Sequence, residues 1–284
     1  MKQNLANKVV VITGSSSGIG KAAAETLSDR GYSVIATVRR ESDKDKLKLN
    51  SHSAVVMLDL NSEQSVTFAA KEITRIANGN LYALFNNAAY GQPGAVEDLS
   101  RAALRKQFET NLFGTHQLTC ELLPSLLNQD RAHIVQCSSI LGFIGMPMRG
   151  AYVASKFALE GLTDTMRMEL SDTNIQLSLI EPGPILSRFR QNALIALRDN
   201  IDFDNSRHSW RYTSALARLE KEGAVSGYTL GPDAVVDKLI HALESKRAKP
   251  RYYVTKPTFI MAFLKRCMPT PIIDRLLLKY AKEE

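Results

Sequence analysis

Short apolar runs rich in β-branched residues alternate along the chain with longer stretches in which apolar side chains recur every three or four positions. The runs cover residues 8–13, 32–38, 54–58, 81–85, 132–137 and 175–180. The first, a continuous apolar run with β-branched residues, predicts a strand buried on both faces, and the others read as further strands. The intervening stretches predict helices over 21–30, 41–49, from about 62 to 77, over 100–127, from 150 onward and over 231–243, with a last strand at 251–255. Repeated strand-helix alternation is the pattern of an α/β fold built on a doubly wound parallel sheet. Two segments fall outside it. Residues 188–230 are longer than an ordinary connection and carry Phe189, Leu194, Phe203, Trp210, Tyr212 and Leu216 among arginines, which suits a helical substrate lid. The tail at 256–284 is basic and amphipathic; it predicts a docked terminal helix, with peripheral membrane contact as the alternative.

The polar breaks are specific. The first strand ends in Thr13-Gly14-Ser15-Ser16-Ser17-Gly18-Ile19-Gly20, a glycine turn opening a helix that Gly31 stops. Glycines in that position let a backbone approach a pyrophosphate, and the helix N-terminus stabilises its charge. The second strand ends in Arg39-Arg40, where an acidic residue would accept ribose hydroxyls; arginine suits a 2'-phosphate instead, hence NADP(H). Asp59 ends the third strand, placed either to accept from an adenine amino group or to cap the next helix. Asn86 to Gly91 ends the fourth, with amides able to pin neighbouring strands. Asn111 and Gly114 interrupt the long helix and predict a kink or a functional carbonyl there. Glu181-Pro182-Gly183-Pro184 closes the sixth strand in a stiff turn.

Composition narrows the reading. A chain of 284 residues with 44% hydrophobic and 23% charged positions buries a substantial core and is not disordered. The net charge of +7 is compatible with a phosphorylated cofactor, an anionic surface or nucleic acid. Dispersed basic residues without an aromatic-basic motif argue against nucleic acid. Three scattered cysteines, Cys120, Cys137 and Cys267, predict a reducing, cytoplasmic setting and no structural zinc. The polar residues 1–8 do not read as a secretory signal, and no apolar run approaches the ~20 residues of a membrane span.

Candidate chemistry centres on residues 150–161. In a helix, Tyr152 and Lys156 share one face, and a nearby ammonium favours the phenolate of a group that otherwise titrates near pH ~10. Ser138 and Ser139 end the strand just upstream, so a serine and Tyr152 can meet above the strand ends. Phe143, Met146, Met148, Phe189 and Trp210 would line a mostly apolar substrate pocket.

These motifs together resemble the short-chain dehydrogenase/reductase family over about residues 8–255. The T-G-x-x-x-G-x-G turn, Asp59, Asn86-Asn87-Ala88-Ala89, Asn111, the Ser139, Tyr152 and Lys156 set, and Pro182-Gly183 occur in the family's order. Arg39, the N-N-A-A-Y-G wording and the basic tail are similar to the hydroxysteroid and retinol dehydrogenase branch and to bacterial NADP-dependent aldehyde reductases. The resemblance implies a single Rossmann-type domain over 1–284 and carbonyl reduction by NADPH. It also implies self-association through the helices holding Asn111 and Tyr152. It selects Ser139 over Ser138 and implies that Ser139 holds the carbonyl oxygen, Tyr152 gives the proton, Lys156 lowers the tyrosine's pKa and binds ribose, and Asn111 supports a proton relay. Cofactor contacts are implied for Gly14, Ser16, Ser17, Gly18, Ile19, Gly20, Arg39, Arg40, Asp59, Asn87, Ala88, Tyr152, Lys156, Pro182, Gly183, Ile185 and Ser187. Ala89 stands where the family usually has glycine, and Ser187 where it has threonine. The alternative function on the same motifs is an NADP-binding regulator or scaffold without turnover.

Overall fold

The computed structural model describes residues 5–221, 223, 224 and 227–283. Residues 1–4 of the polar N-terminus, Glu222, Val225 and Ser226 of the 188–230 segment, and Glu284 lie outside it. Strands β1 (Val9–Ile12), β2 (Ser33–Val38), β3 (Ala54–Met57), β4 (Leu81–Asn86), β5 (Ala132–Cys137), β6 (Ile175–Pro182) and β7 (Arg251–Val254) are all parallel, in the order β3-β2-β1-β4-β5-β6-β7. Helices α1 (Gly18–Asp29) and α2 (Glu63–Ala77) follow β1 and β3; α3 (Arg101–Phe108), α4 (Gly114–Leu127) and α5 (Gly150–Glu169) flank β5 in sequence. Beyond β6 come α6 (Phe189–Asn200), α7 (Ser209–Glu220) and α8 (Asp233–Glu244), and beyond β7 come α9 (Lys256–Cys267) and α10 (Thr270–Glu283).

The continuous apolar runs are explained by burial on both sides. Val10 and Ile12 pack with Ala23, Ala24 and Leu27 of α1 and with Val235, Leu239 and Leu243 of α8. Val9 and Val11 turn to the opposite face, against Val66 and Ile73 of α2 and Leu118 and Leu122 of α4. The chain reverses its direction of winding between β1 and β4, which opens a crevice at the C-terminal ends of those strands.

The long helix expected over 100–127 is interrupted where Asn111 and Gly114 suggested: a π-helical turn, Glu109–Phe113, separates α3 from α4. Gly114 lies so close to the Leu60 carbonyl that a Cβ would overlap it, so the helix can approach the loop between β3 and α2 this closely only at a glycine. Residues 41–49 differ from expectation. Only a 3₁₀ helix forms, Glu41–Lys46, because its ion pairs have three-residue spacing: buried Asp43 holds Arg40 at 3.1 Å and Lys46 at 2.7 Å. Side chains three apart eclipse in a 3₁₀ turn, so local charge pairing favours it over an α-helix. In the 188–230 segment, α6 and α7 share an apolar cluster of Ala193, Leu197, Ile201, Tyr212 and Leu219. The tail forms two helices, and Ile273 and Leu277 of α10 dock on Leu141 and Ile144.

Candidate active site

The glycine turn occupies the crevice between β1 and β4. Gly14 and Gly18 have φ of +69° and +57°, conformations that side chains strain to adopt. The turn is tied to β2 by Ser15 N donating to Thr37 O at 2.8 Å, and to β4 through Thr13, whose hydroxyl accepts from Asn87 N and Ala88 N at 2.9 Å each. Asn87 Nδ2 donates to Thr13 O at 2.9 Å, so the amide pins adjacent strands as its place in sequence suggested. Ser16, Ser17, Gly18 and Ile19 stay partly exposed at the start of α1, where helix N–H groups face an incoming anion. A Cβ on Gly18 would lie 2.9 Å from Ser187 Cβ, which places the loop after β6 against the turn. In that loop Gly183 N donates to Val254 O at 3.1 Å, and Ile185 bridges to Leu230. These residues fit a dinucleotide: the backbone is bare where a pyrophosphate would approach. Gly20 serves another purpose, since its Cβ would collide with the Gly14 carbonyl and the Asn87 amide. Gly20→Ala should therefore lower stability by ~1–3 kcal/mol, read as a depressed melting temperature; an unchanged melt would show that α1 moves aside freely.

Arg39 and Arg40 are exposed at the end of β2, with Arg40 committed to Asp43. Asp59 is not the cap of α2. Ser62 is, its hydroxyl accepting from Ser65 N at 3.2 Å, while Asp59 Oδ1 accepts from Asn61 N at 3.0 Å.

The structure brings Ser139, Tyr152, Lys156 and Asn111 together beyond the ends of β4 and β5. Ser139 is buried in extended backbone, its Oγ accepting from Leu141 N at 3.1 Å and hydrogen-bonded to the Tyr152 phenol. Ser138 points elsewhere, donating to Glu160 Oε1 at 2.5 Å, so of the two serines Ser139 is the one that meets the phenol. Lys156 is buried and donates from Nζ to Cys137 O at 2.6 Å, with Nζ 5.8 Å from the Tyr152 ring centroid. The expected effect of Lys156 on Tyr152 is not what this geometry produces. Burial pushes the phenol above its ordinary value, and the opposing influences are the Ser139 hydrogen bond and the Arg149 charge. Burial likewise pulls Lys156 below the usual lysine range. Asn111 is committed through its side chain: Oδ1 accepts from Tyr90 N at 3.1 Å, and Nδ2 donates to Tyr90 O at 3.0 Å and Ser155 Oγ at 3.1 Å. Within the π turn the backbone ladder around Asn111 is re-spaced.

Of the five apolar residues expected around a substrate, one meets the tyrosine and two share a cluster with it. The Phe189 ring stands edge-on to Tyr152 with centroids 5.2 Å apart, and Phe143 and Met146 pack in the same cluster as Tyr152. Met148 belongs instead to the α6–α7 cluster. Trp210 does not line the site at all: it is 66% exposed, with Arg211 over its ring at 4.9 Å, because α7 turns Tyr212 rather than Trp210 inward.

One group of residues escaped the sequence reading. Arg251 Nη1 donates to both Glu160 and Glu181, and its Nη2 reaches Asp164 Oδ2 at 2.5 Å. Tyr152, Lys156 and Glu160 step along one face of α5, so the same helix that carries the tyrosine is clamped to β6 and β7. No sequence signal marks this cluster, since its members lie on α5, β6 and β7. Glu181, fully buried, is pushed up to about 8, first by burial and then by the Glu160 charge, against the Arg251 cation. The folded protein thus keeps a proton that the unfolded chain releases near pH ~4.3, and this group's contribution to stability falls as pH rises from there to about 8. Glu181→Gln removes the penalty: its melting temperature relative to the parent should improve between pH 5 and pH 8, by the equivalent of ~1–3 kcal/mol. Parallel pH profiles for the two proteins would refute the assignment.

Comparison with known proteins agrees with this geometry. A family model described as short chain dehydrogenase matches residues 8–196. An uncharacterized oxidoreductase of Escherichia coli, YbbO, is 41% identical over 270 residues, covering 95% of this chain and 94% of its own. Retinol dehydrogenase 8 of Bos taurus is 37% identical over 198 residues, 66% of this chain and 62% of its own. A short chain dehydrogenase/reductase from Burkholderia phymatum, solved in complex with NAD, shares the fold at TM-score 0.76 and 24% identity, covering 92% of this chain and 93% of that one. With the family model spanning more than half of the sequence and a relative matched almost end to end, this chain belongs to the short-chain dehydrogenase family of oxidoreductases, which work with a nicotinamide cofactor.

Proposed function

We propose that the protein is an NADPH-dependent reductase of lipophilic aldehydes or ketones, folded as one catalytic domain with residues 188–230 as its lid. The observation that carries this reading is the Tyr152 phenol hydrogen-bonded to Ser139 at the open end of the sheet, with an apolar wall of Phe143, Met146 and Phe189. When bound, the cofactor supplies the hydride. The chain does the rest. Ser139 holds the substrate oxygen and Tyr152 gives it a proton. A phenol kept protonated by burial suits that direction, since reduction consumes the acid form. Lys156 would hold the nicotinamide ribose, and the Asn111 carbonyl in the π turn would anchor the water that returns the proton.

Fold neighbours are solved with NAD in one case and with NADP in another, so on this reading the choice between cofactors rests on Arg39 and Arg40. Of the two, Arg39 is the stronger phosphate ligand, because Arg40 is shared with Asp43. The apolar wall and the similarity to retinol dehydrogenase 8 support a lipophilic substrate. Exposed Phe113, Phe157, Leu162 and Met168, along the faces of the π turn and α5, support self-association there. Three free cysteines support a reducing, cytoplasmic setting. The test is consumption of NADPH and NADH over a panel of medium- and long-chain aldehydes, retinal and steroid ketones. Turnover of an apolar carbonyl with preference for NADPH is expected; tight NADPH binding with no turnover across the panel would instead establish the regulator reading.

A further inference from the structure

We infer that the outer face of α9 and α10 is a docking surface for an anionic lipid bilayer. A helix packed on a protein in water ordinarily turns its polar side outward. Helix α9 does not. Its inward side packs through Thr258, Ala262, Met261 and Leu264, yet Phe259, Ile260 and Phe263 form a second apolar stripe on the opposite side, 56%, 56% and 66% exposed. On α10, Ile272 and Leu276 repeat the pattern one turn apart, 39% and 42% exposed.

The charges around this surface identify what it fits. Residues 256–280 hold Lys256, Lys265, Arg266, Arg275 and Lys279, all exposed, against Asp274 alone. None of the five has an ion-pair partner among the described residues. Aromatic and branched side chains inside a cationic rim match the headgroup boundary of an anionic bilayer, with the rings entering the acyl boundary and the ammonium and guanidinium groups on phosphates. A second copy of the chain is the poorer occupant, since it would set two cationic rims against each other. The helices lie on a surface rather than cross it: no helix among the described residues is long and apolar enough to span.

The docking face is continuous with the candidate site. The Phe259 ring lies 5.5 Å from Tyr253, which lies 6.2 Å from Phe143, and α10 rests on the same loop that holds Phe143 and Met146. A bilayer under α9 would therefore hold lipophilic carbonyls beside the site; that consequence, unlike the docking itself, rests on the proposed reductase function.

The test is flotation of the purified full chain with vesicles of pure phosphatidylcholine and with vesicles containing phosphatidylglycerol, at low and high salt. Binding at least ~10-fold stronger to the anionic vesicles and weakened by salt is expected. Phe259→Ser with Ile260→Ser and Phe263→Ser should abolish it, and Lys265→Glu with Arg266→Glu should lower it ~10-fold. Because these positions are exposed, melting temperature and NADPH consumption with a water-soluble aldehyde should stay at parental levels. That assay separates the two ideas: an inactive protein that still floats sinks the reductase reading and leaves the docking surface standing. Equal recovery with neutral and anionic vesicles, or undiminished flotation of the triple variant, would overturn the inference. So would a dimer in sedimentation analysis that the triple variant dissolves, which would give the face to a second copy.

Discussion

Tyr152→Phe should lower carbonyl turnover by ~10³-fold or more while leaving the affinity for NADPH within about a factor of two. The substitution keeps the ring that stands against Phe189 at 5.2 Å and removes only the hydroxyl bonded to Ser139. What is lost is the proton delivered to the substrate oxygen; Lys156 nearby gives one of its three donors to the Cys137 carbonyl and is assigned to the cofactor ribose, not to the substrate. On the proposed reading the glycine turn and the loop after β6 carry most of the dinucleotide affinity, so losing the one hydroxyl of Tyr152 leaves most cofactor contacts in place. Ser139→Ala should cost less, ~10²-fold, because it removes the hydrogen bond to the oxygen and leaves the acid. Steady-state NADPH consumption and fluorescence titration separate the two quantities. Residual activity within tenfold of the parent in Tyr152→Phe would sink the proton-donor assignment.

Arg39→Asp combined with Arg40→Ala should lower kcat/KM for NADPH by ~10- to 100-fold, the worth of one or two charge-assisted bonds to a phosphate, and leave NADH unchanged or improved. Both side chains are exposed, so the fold has little at stake. Arg39→Ala alone should produce most of the effect. Arg40 shares its guanidinium with Asp43, and Asp43 keeps Lys46 at 2.7 Å when Arg40 is gone. The measurement is the ratio of kcat/KM for the two cofactors at fixed substrate. A ratio that does not move would remove the 2'-phosphate from the argument.

How much of this was readable beforehand follows from the range of the interactions. Strand β1 coincides with the run at 8–13 because burial on both faces needs a nearly unbroken apolar sequence, whereas β5 forms at 132–137 with His133 and Gln136 buried inside it. The π turn at Asn111 is signalled by a polar residue and a glycine in a helical pattern, although the Leu60 carbonyl against which Gly114 packs lies far upstream. The helix expected at 41–49 failed because charges three apart outweighed helical propensity. Trp210 was assigned inward from hydrophobicity alone, whereas the packing of α6 on α7 selects Tyr212, whose hydroxyl accepts from Ala95 N at 2.9 Å and donates to Asp98 at 2.7 Å.

By itself, then, the sequence determined the sheet, the glycine turn and the Tyr152–Lys156 step, since each is encoded within a few neighbouring residues by apolar continuity, backbone freedom or helical spacing. Only the tertiary structure decided that Ser138 is turned away to Glu160, and that burial sets the proton of the phenol. Only the fold shows Arg251 joining Glu160 and Glu181, or the tail covering the 141–146 loop while turning Phe259 and Phe263 outward. Those outcomes depend on side chains from 13 to more than 100 positions apart along the sequence, and which of them meet is settled by crossovers and packing that no local pattern records.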